Sequence, residues 1–160
     1  MTSMVSNPQI HFEDLALGTE YISAARTITE ADIVSFAGLS GDFNPLHIDR
    51  EFAANTTHGE RIAHGLLVLS VISGLSTRTA LMTGLADQMV GLLNLECRFK
   101  QATKIGDTIY ARLTIEGLRR TTKGETGVLT LNREAVNQKG DVVMESVWTL
   151  LVRCRSGRGK

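Results

Sequence analysis

Ten consecutive residues with the sequence SGDFNPLHID, Ser40–Asp49, carry a carboxylate, an amide and an imidazole. A carboxylate and an imidazole together form an acid/base pair, because one group can hold or deprotonate a water while the other supplies or returns a proton. Both groups must reach the same reacting atoms for this chemistry. Asp42 and His47 are therefore the candidate acid/base residues of the chain, and Asn44 lies between them.

The same residue types are those that turns use. Gly41 can adopt a positive φ, and Pro45 disfavours helical backbone at the residue before it, so the segment is predicted to form a constrained turn. After the proline, apolar and polar residues alternate, which predicts a short extended piece that buries Leu46 and Ile48 and points His47 the opposite way. The acid/base pair could then face one another. A turn in which the polar side chains only cap backbone N–H groups is the alternative, and spacing alone does not decide between them.

A second feature is the sequence RIAHGLL, residues 61–67, which leads into the most apolar segment. Gly65 lies at or beside the predicted start of a long helix, where backbone N–H groups lack a partner within the helix and the helix dipole is positive. Such an N–H group can bind a carbonyl oxygen that gains negative charge, as in an enolate. The alternative is a helix start in which Gly65 allows close packing and His64 acts as a cap.

Composition predicts one globular domain spanning residues 1–160, with frayed ends at about residues 1–10 and 155–160. The 17 basic and 17 acidic residues cancel, and aromatic residues make up only 5%, so a nucleic-acid partner is not expected. Cys97 and Cys154 have no C-x-x-C spacing, which favours a reduced, cytoplasmic protein. The N-terminus lacks the pattern of a secretory signal, and the most apolar segment is shorter than the roughly 20 residues of a membrane span, so no membrane association is expected.

Helical periodicity occurs in the first half of the chain. Thr29 and Asp32 have the spacing of a capping box and predict a short amphipathic helix that ends at Gly38. At residues 64–82 the apolar positions extend nearly all the way round, which predicts a long central helix covered on most sides. Gly84 has the position of a C-cap glycine for that helix.

In the second half of the chain the hydrophobic period changes to two. In the sequence DTIYARLTIEG, residues 107–117, apolar and polar positions alternate and predict a strand with one buried face. Similar patterns at residues 88–99, 126–137 and 141–153 are separated by turn signals, so these strands are predicted to form an antiparallel meander. With a further strand at residues 19–28, we expect an α+β fold in which an antiparallel sheet of about five strands wraps around the long helix. The open sheet edges favour self-association.

The sequence GDFNPLHID, followed about sixteen residues later by IAHGLL, resembles the MaoC-like or (R)-specific enoyl-CoA hydratases, also called hydratase 2. Their signature is G-D-x-N-P-[LIV]-H, and their next landmark is a helix-opening A-H-G. All six fixed positions of the signature are present: Gly41, Asp42, Asn44, Pro45, Leu46 and His47. The similarity extends from FEDLALGTEY through KIGDTIYARLTI to the last strand. The resemblance implies a hot-dog fold, in which a curved antiparallel sheet wraps around a long helix, and assembly as a homodimer or higher homo-oligomer.

The resemblance also implies roles for particular residues. The catalytic pair falls on Asp42 and His47, and the oxyanion-hole amide on Gly65. The candidate substrate-binding residues are Asn44, which helps to order the loop, Ser73 in the central helix, and His64 and Leu67 near the start of that helix. Basic residues that could meet CoA phosphates are Arg98, Lys100, Lys104, Arg119 and Arg120, and the alternative for most of them is a solvated position at a strand edge. No metal is expected, and no cofactor other than the CoA carrier of the substrate, since the spacing shows no ligand cluster and a helix amide takes the polarising role.

The implied reaction is the reversible hydration of a trans-2-enoyl-CoA to an (R)-3-hydroxyacyl-CoA, with an acyl-carrier protein as the alternative carrier. Two other functions remain open. A hot-dog acyl-CoA thioesterase would share the fold and the carrier, but such enzymes usually place a lone carboxylate on or near the central helix, and residues 65–82 contain none. The second of these functions is that of a non-catalytic acyl-binding subunit, and the intact Asp42 and His47 argue against it.

Overall fold

The computed structural model describes residues 9–155 of the chain. Within this range the helices are α1 (Glu30–Ser40), α2 (Pro45–Ile48), α3 (Arg50–Ala54), α4 (Gly65–Ser76) and α5 (Ala80–Gly84). The strands are β1 (Glu20–Ile22), β2 (Arg26–Thr27), β3 (Met89–Phe99), β4 (Thr108–Arg120), β5 (Thr126–Asn137) and β6 (Val142–Arg153). The paired strands are antiparallel, so the predicted α+β class is confirmed.

One sheet contains these six strands, in the order β1-β4-β5-β6-β3, and β2 also pairs with β4. The predicted N-terminal strand is divided into β1 and β2, which makes six strands rather than five. The division lies at Ser23, whose hydroxyl accepts a hydrogen bond from the Ala111 N–H (2.8 Å) and donates one to the Ala24 carbonyl (2.8 Å). This side chain therefore competes locally with the backbone ladder.

Strands β4, β5 and β6 form the predicted meander, joined by short turns. Strand β3 precedes β4 in the chain but pairs with β6 at the far edge of the sheet, so the prediction that all consecutive strands are neighbours is wrong for β3. The connection from β3 to β4 crosses beside the start of α4, where the Ala63 N–H donates a hydrogen bond to the Thr103 carbonyl (2.8 Å). A connection that runs past the helix lets the chain cross from the β3 edge to β4, on the other side of β5 and β6.

The core lies between α4 and the inner face of the sheet, where α4 contacts β4 and β5. The inward positions of β4 that the alternation predicts are all buried, namely Ile109, Ala111, Leu113 and Ile115. The buried residues of α4 are Leu67, Val68, Val71, Ile72, Leu75 and Ser76. Removing the apolar side chains of α4 and β4 from water stabilises the fold and holds the start of α4 at a fixed place against the sheet.

The central helix is shorter than the sequence predicted. Helix α4 ends at Ser76, and α5 begins only after Thr79. The Thr79 hydroxyl donates a hydrogen bond to the Ser76 carbonyl (2.7 Å) and accepts one from the Met82 N–H (3.4 Å), so one side chain ends the first helix and caps the second. Gly84 is the last residue of α5 and not a C-cap.

The ends of the described chain are held in place. The Ile10 N–H donates a backbone hydrogen bond to α5 (2.8 Å), and the Arg155 side chain pairs with Asp14 (2.8 Å). The predicted fraying therefore does not reach Ile10 or Arg155, and the rest of the two predicted ends lies almost entirely outside the described residues. No helix in the described part of the chain is long and apolar enough to cross a membrane.

Candidate active site

The end of α1 determines where Asp42 leaves the helix. The helix continues through Gly38, where the sequence predicted its end, and stops at Ser40. Gly41 has a φ of 77° and donates its N–H to the Ala37 carbonyl (2.9 Å). Glycine adopts this left-handed conformation without strain and so terminates the helix one residue before Asp42.

The segment after Asn44 is a helical turn, so the prediction of an extended piece is wrong. Proline has a φ suited to the first helical position, and Pro45 begins α2. The Asn44 side chain caps this turn by accepting a hydrogen bond from the Leu46 N–H (3.0 Å). The helical turn leaves Ile48 exposed and His47 half-buried.

Three polar side chains converge at this place. One ligand-type atom each of Asp42, His47 and His64 lies within 4.8 Å of the other two. The rings of His47 and His64 are stacked with a centroid separation of 3.8 Å. The structure thus brings the predicted acid/base pair together and adds His64, which lies directly before α4, as its neighbour.

Backbone carbonyls determine which ring nitrogens donate. His47 Nδ1 lies 2.8 Å from the Ile62 carbonyl oxygen, and His64 Nε2 lies 3.0 Å from the Asp42 carbonyl oxygen. Because a carbonyl oxygen only accepts, each of these nitrogens is the donor, and in a neutral ring the other nitrogen carries a lone pair. His47 Nε2 is therefore available as a base. His64 Nδ1 is buried and has no hydrogen-bond partner among the described residues.

Helix α4 begins at Gly65, as the sequence predicted. The N–H of a first helical residue has no acceptor within its own helix. A Cβ at this position would lie 2.8 Å from Phe99 Cε1, so the aromatic ring packs where only glycine leaves room. His64 has the N-cap position, but its side chain makes no capping hydrogen bond. Close packing therefore explains this glycine, and a capping role of His64 does not.

A cavity of about 420 Å³ adjoins the start of α4, and both His47 and Gly65 line it. Sequence reasoning missed three of its polar or aromatic wall residues, His58, Phe99 and Thr103. The last two come from the end of β3 and the connection beyond it, whose course beside α4 has no local sequence signal. His58 lies in a polar loop without periodicity.

None of the four predicted substrate-binding residues lines this cavity. Asn44 caps α2 and His64 stacks on His47, so both lie beside the acid/base pair, whereas the other two lie elsewhere. Leu67 is buried in the core and lines a separate hollow of about 240 Å³ with Ser70 and Gly74. Ser73 is half-buried, about two turns beyond Gly65 along α4. The structure of one chain therefore does not place Leu67 or Ser73 with the acid/base pair.

Asp42, His47 and His64 also form a set of one oxygen and two nitrogen donors. The expectation that no ligand cluster is present is incorrect, because the three residues come from separate segments and their sequence spacing does not reveal the set. With one nitrogen of each ring engaged by a carbonyl, His47 Nε2, His64 Nδ1 and the Asp42 carboxylate are the remaining donors. Such donors are of the type that zinc uses.

Most of the basic residues suggested for CoA phosphates are engaged by carboxylates. Lys104 pairs with Glu60 (2.6 Å) and Lys100 pairs with Glu145. Arg120 pairs with Glu13 (2.5 Å). Among these candidates, Lys100 is the one that lines the cavity in the described part of the chain.

Comparisons with known proteins agree with this fold. A family model described as the MaoC like domain matches residues 14–137. The (R)-specific enoyl-CoA hydratase of Rhodospirillum rubrum is 37% identical over 145 residues, which cover 91% of this chain and 93% of the relative.

Solved structures have the same architecture. The crystal structure of the MaoC-like dehydratase from Rhodospirillum rubrum matches with a TM-score of 0.82 and 27% identity, over 91% of this chain and 98% of that one. A Mycobacterium tuberculosis protein with a double hotdog fold matches with a TM-score of 0.80 over 95% of this chain and 46% of that one, and its 21% identity supports the fold alone. The expected hot-dog fold is confirmed, and the chain belongs to the MaoC-like domain family.

Proposed function

We propose that this protein catalyses the reversible syn hydration of a trans-2-enoyl-CoA to an (R)-3-hydroxyacyl-CoA, with Asp42 and His47 as the acid/base pair. The observation that carries the proposal is that His47 and Gly65 line one cavity while the Asp42 and His47 side chains lie within 4.8 Å. The hydratase and dehydratase names of the relatives support the reaction class.

In the first step the pair holds a water between the Asp42 carboxylate and His47 Nε2. His47 Nε2 removes a proton from this water, because its Nδ1 is already the donor to the Ile62 carbonyl. The water oxygen forms a bond to C3 of the enoyl thioester. The electron pair of the C2=C3 bond moves towards C1, and the thioester oxygen gains negative charge.

In the second step the Gly65 N–H stabilises that oxygen at the positive end of α4. The acid/base pair then delivers the proton to C2 on the face that the water attacked, which makes the addition syn. Dehydration uses the same groups in the reverse order. This scheme requires no metal and no cofactor, because the amide supplies the polarisation that a metal would otherwise give.

The test follows the absorbance of the conjugated thioester with crotonyl-CoA and longer enoyl-CoAs. We expect an active wild type and a fall in kcat of about 10²–10⁴-fold for His47→Ala, since a general acid/base is lost. His11→Ala is the matched control, because His11 lies outside the cavity beside Asp14, and its rate should stay within a few-fold of wild type. A wild type that hydrates none of the substrates, or an active His47→Ala, contradicts the proposal.

Two further measurements on the same samples separate the alternatives. Release of free CoA thiol from saturated acyl-CoAs at the hydration rate would favour a thioesterase. Treatment with EDTA should leave hydration unchanged. Loss of activity that zinc restores would instead show that Asp42, His47 and His64 hold a metal.

We further propose that two copies assemble through β3. This strand forms one edge of the sheet and exposes four large apolar side chains, Val90, Leu92, Leu93 and Phe99. An open edge with exposed apolar side chains favours pairing with a second copy. Light scattering should give the mass of two chains, and a single-chain mass would contradict this assembly.

A further inference from the structure

Arg133 is a buried cation without a counter-charge in the described part of the chain. Its side chain lies on the inner face of β5 and is 2% exposed. The guanidinium lies over the Trp148 ring, with Cζ 4.1 Å from the ring centroid. Arg133 Nη2 has only the Met82 sulfur as a partner, at 3.7 Å, and Nε is buried with no partner among residues 9–155.

This arrangement is unfavourable for a protein interior. Burial lowers the pKa of Arg133 to about 10, so the side chain is still a cation at neutral pH. Thioether sulfur is a weak acceptor, and a buried charge without an anion is strongly destabilising. An apolar side chain would fill the same space at lower free energy. The buried arginine therefore indicates an anion that binds beside it.

The sheet register places Arg133 next to the cavity of the proposed active site. Met144 lines that cavity and is paired with Ala135 across the sheet. Two residues further along the same strands, Ser146 is paired with Arg133. Residues two apart on a strand point to the same face, roughly 6.6–6.8 Å from one another. Arg133 and Ser146 therefore form the next row of cross-strand neighbours after Ala135 and Met144, one row deeper in the core than the cavity wall.

We propose that Arg133 binds a carboxylate at the far end of the acyl group, so that the substrate is a short dicarboxylic enoyl thioester. This inference rests on the proposed hydration at Asp42 and His47. From a thioester carbonyl at the Gly65 N–H, an acyl chain of about four to six carbons spans about one row of the sheet. The far carboxylate would then meet the guanidinium, which binds carboxylates with two parallel hydrogen bonds.

Two methionines lie where the chain would enter. Met144 separates the cavity from the Arg133 row, and Met82 covers the guanidinium. Unbranched methionine side chains change rotamer easily, so both can move aside for the ligand. An acyl group with an apolar end would place a methyl group against the unpaired cation. The arginine therefore favours dicarboxylic substrates over monocarboxylic ones.

The test compares substrates of equal chain length that differ in the end group. Fumaryl-CoA is compared with crotonyl-CoA, and glutaconyl-CoA with 2-pentenoyl-CoA, by kcat/KM for hydration. We expect wild type to prefer the dicarboxylic member of a pair at least about tenfold, and Arg133→Met to lose about 10–100-fold on that member while its crotonyl-CoA rate stays within a few-fold. Arg112→Met is the matched control, because Arg112 pairs with Glu134, and it should keep the preference.

Several outcomes overturn the inference. Hydration of crotonyl-CoA without any dicarboxylic preference refutes the role of Arg133 and leaves the proposed hydration standing. Inactivity on every enoyl-CoA refutes the proposed hydration. Calorimetric binding of succinyl-CoA against butyryl-CoA then tests carboxylate recognition by itself, and equal affinities refute it.

Thermal stability separates ligand binding from a structural role. Because Arg133→Met removes an unpaired buried charge, we expect its Tm to equal or exceed that of wild type. A Tm that falls by several degrees would mean that the cation is stabilised by its own surroundings, such as the Trp148 ring, and it would overturn the inference. Arg133→Lys keeps the charge but not the paired hydrogen bonds, and it should bind succinyl-CoA at least about tenfold more weakly than wild type.

Discussion

The two ends of α1 carry the same residue type in different surroundings. Asp32, in the first turn, accepts hydrogen bonds from the N–H and the hydroxyl of Thr29, both at 2.8 Å, and pairs with Arg26. Asp42, just beyond the last turn, accepts a single long hydrogen bond among the described residues, from the Asn44 N–H at 3.3 Å. The Asp32 carboxylate uses most of its acceptor sites within its own chain, whereas the Asp42 carboxylate keeps most of its sites open beside two imidazoles.

This difference separates a structural aspartate from a candidate catalytic one. An ionised carboxylate has about four acceptor sites, and Asp32 uses most of them to satisfy the start of the helix. Asp42 keeps its acceptor sites for a water or a substrate. Substitutions at the first end of α1 should therefore affect stability, and substitutions at the second end should affect catalysis.

The largest expected effect is that of Asp42→Asn on the hydration rate. Loss of the carboxylate should lower kcat about 10²–10⁴-fold, because Asn cannot act as an acid or a base. Asp32→Asn makes the same chemical change at the other end of α1, and its kcat should stay within a few-fold of wild type. The comparison fails if both variants lose activity equally in the crotonyl-CoA assay.

The next largest effect concerns Gly38 and Gly41, the two glycines near the C-terminal end of α1. Gly41→Ala forces an alanine into a φ of 77°, which should lower the free energy of unfolding by about 1–2 kcal/mol and reduce kcat, since Asp42 follows directly. Gly38→Ala lies within α1 with open space around it and should raise the free energy of unfolding by about 0.5–1 kcal/mol. Urea unfolding measures both values. A stabilised Gly41→Ala would show that the helix does not need its left-handed end.

The smallest effect is a pH dependence of the unfolding free energy, caused by Asp32 in the first turn of α1. Burial opposes ionisation of Asp32, but hydrogen bonds from Thr29 and the charge of Arg26 outweigh it and hold the pKa of this carboxyl below its ordinary value of 3.8. A lowered folded-state pKa contributes stability above the unfolded-state value and loses it as the pH falls through the folded-state value. The difference in unfolding free energy between wild type and Asp32→Asn should therefore shrink on acidification below about pH 5. A difference that is constant from about pH 6 to pH 3 would contradict this assignment.

The parts of the site that could be predicted are those with local causes. The capping box at Thr29 and Asp32, the positive φ of Gly41 after α1 and the start of α4 at Gly65 each depend on a few adjacent residues, and all three are confirmed. The alternation of apolar and polar residues did not reveal the helical turn of α2. Pro45 disfavours helical backbone at Asn44, but it is also well suited to the first position of a helix. The periodicity also did not reveal the break before α5, where a threonine hydroxyl competes with the helix backbone.

The sequence by itself determined the starts of α1 and α4, the four long strands β3 to β6, the buried face of β4, and Asp42, His47 and Gly65 as the residues to consider. Periodicity, capping and turn chemistry act over a few residues and can be recognised without the rest of the chain. Only the tertiary structure decided that β3 pairs at the far edge of the sheet, that the His64 side chain binds the Asp42 backbone, and that Arg133 is buried with no anion beside it among the described residues. These arrangements arise where segments distant in the chain meet, and the energy of such contacts leaves no pattern in either segment alone.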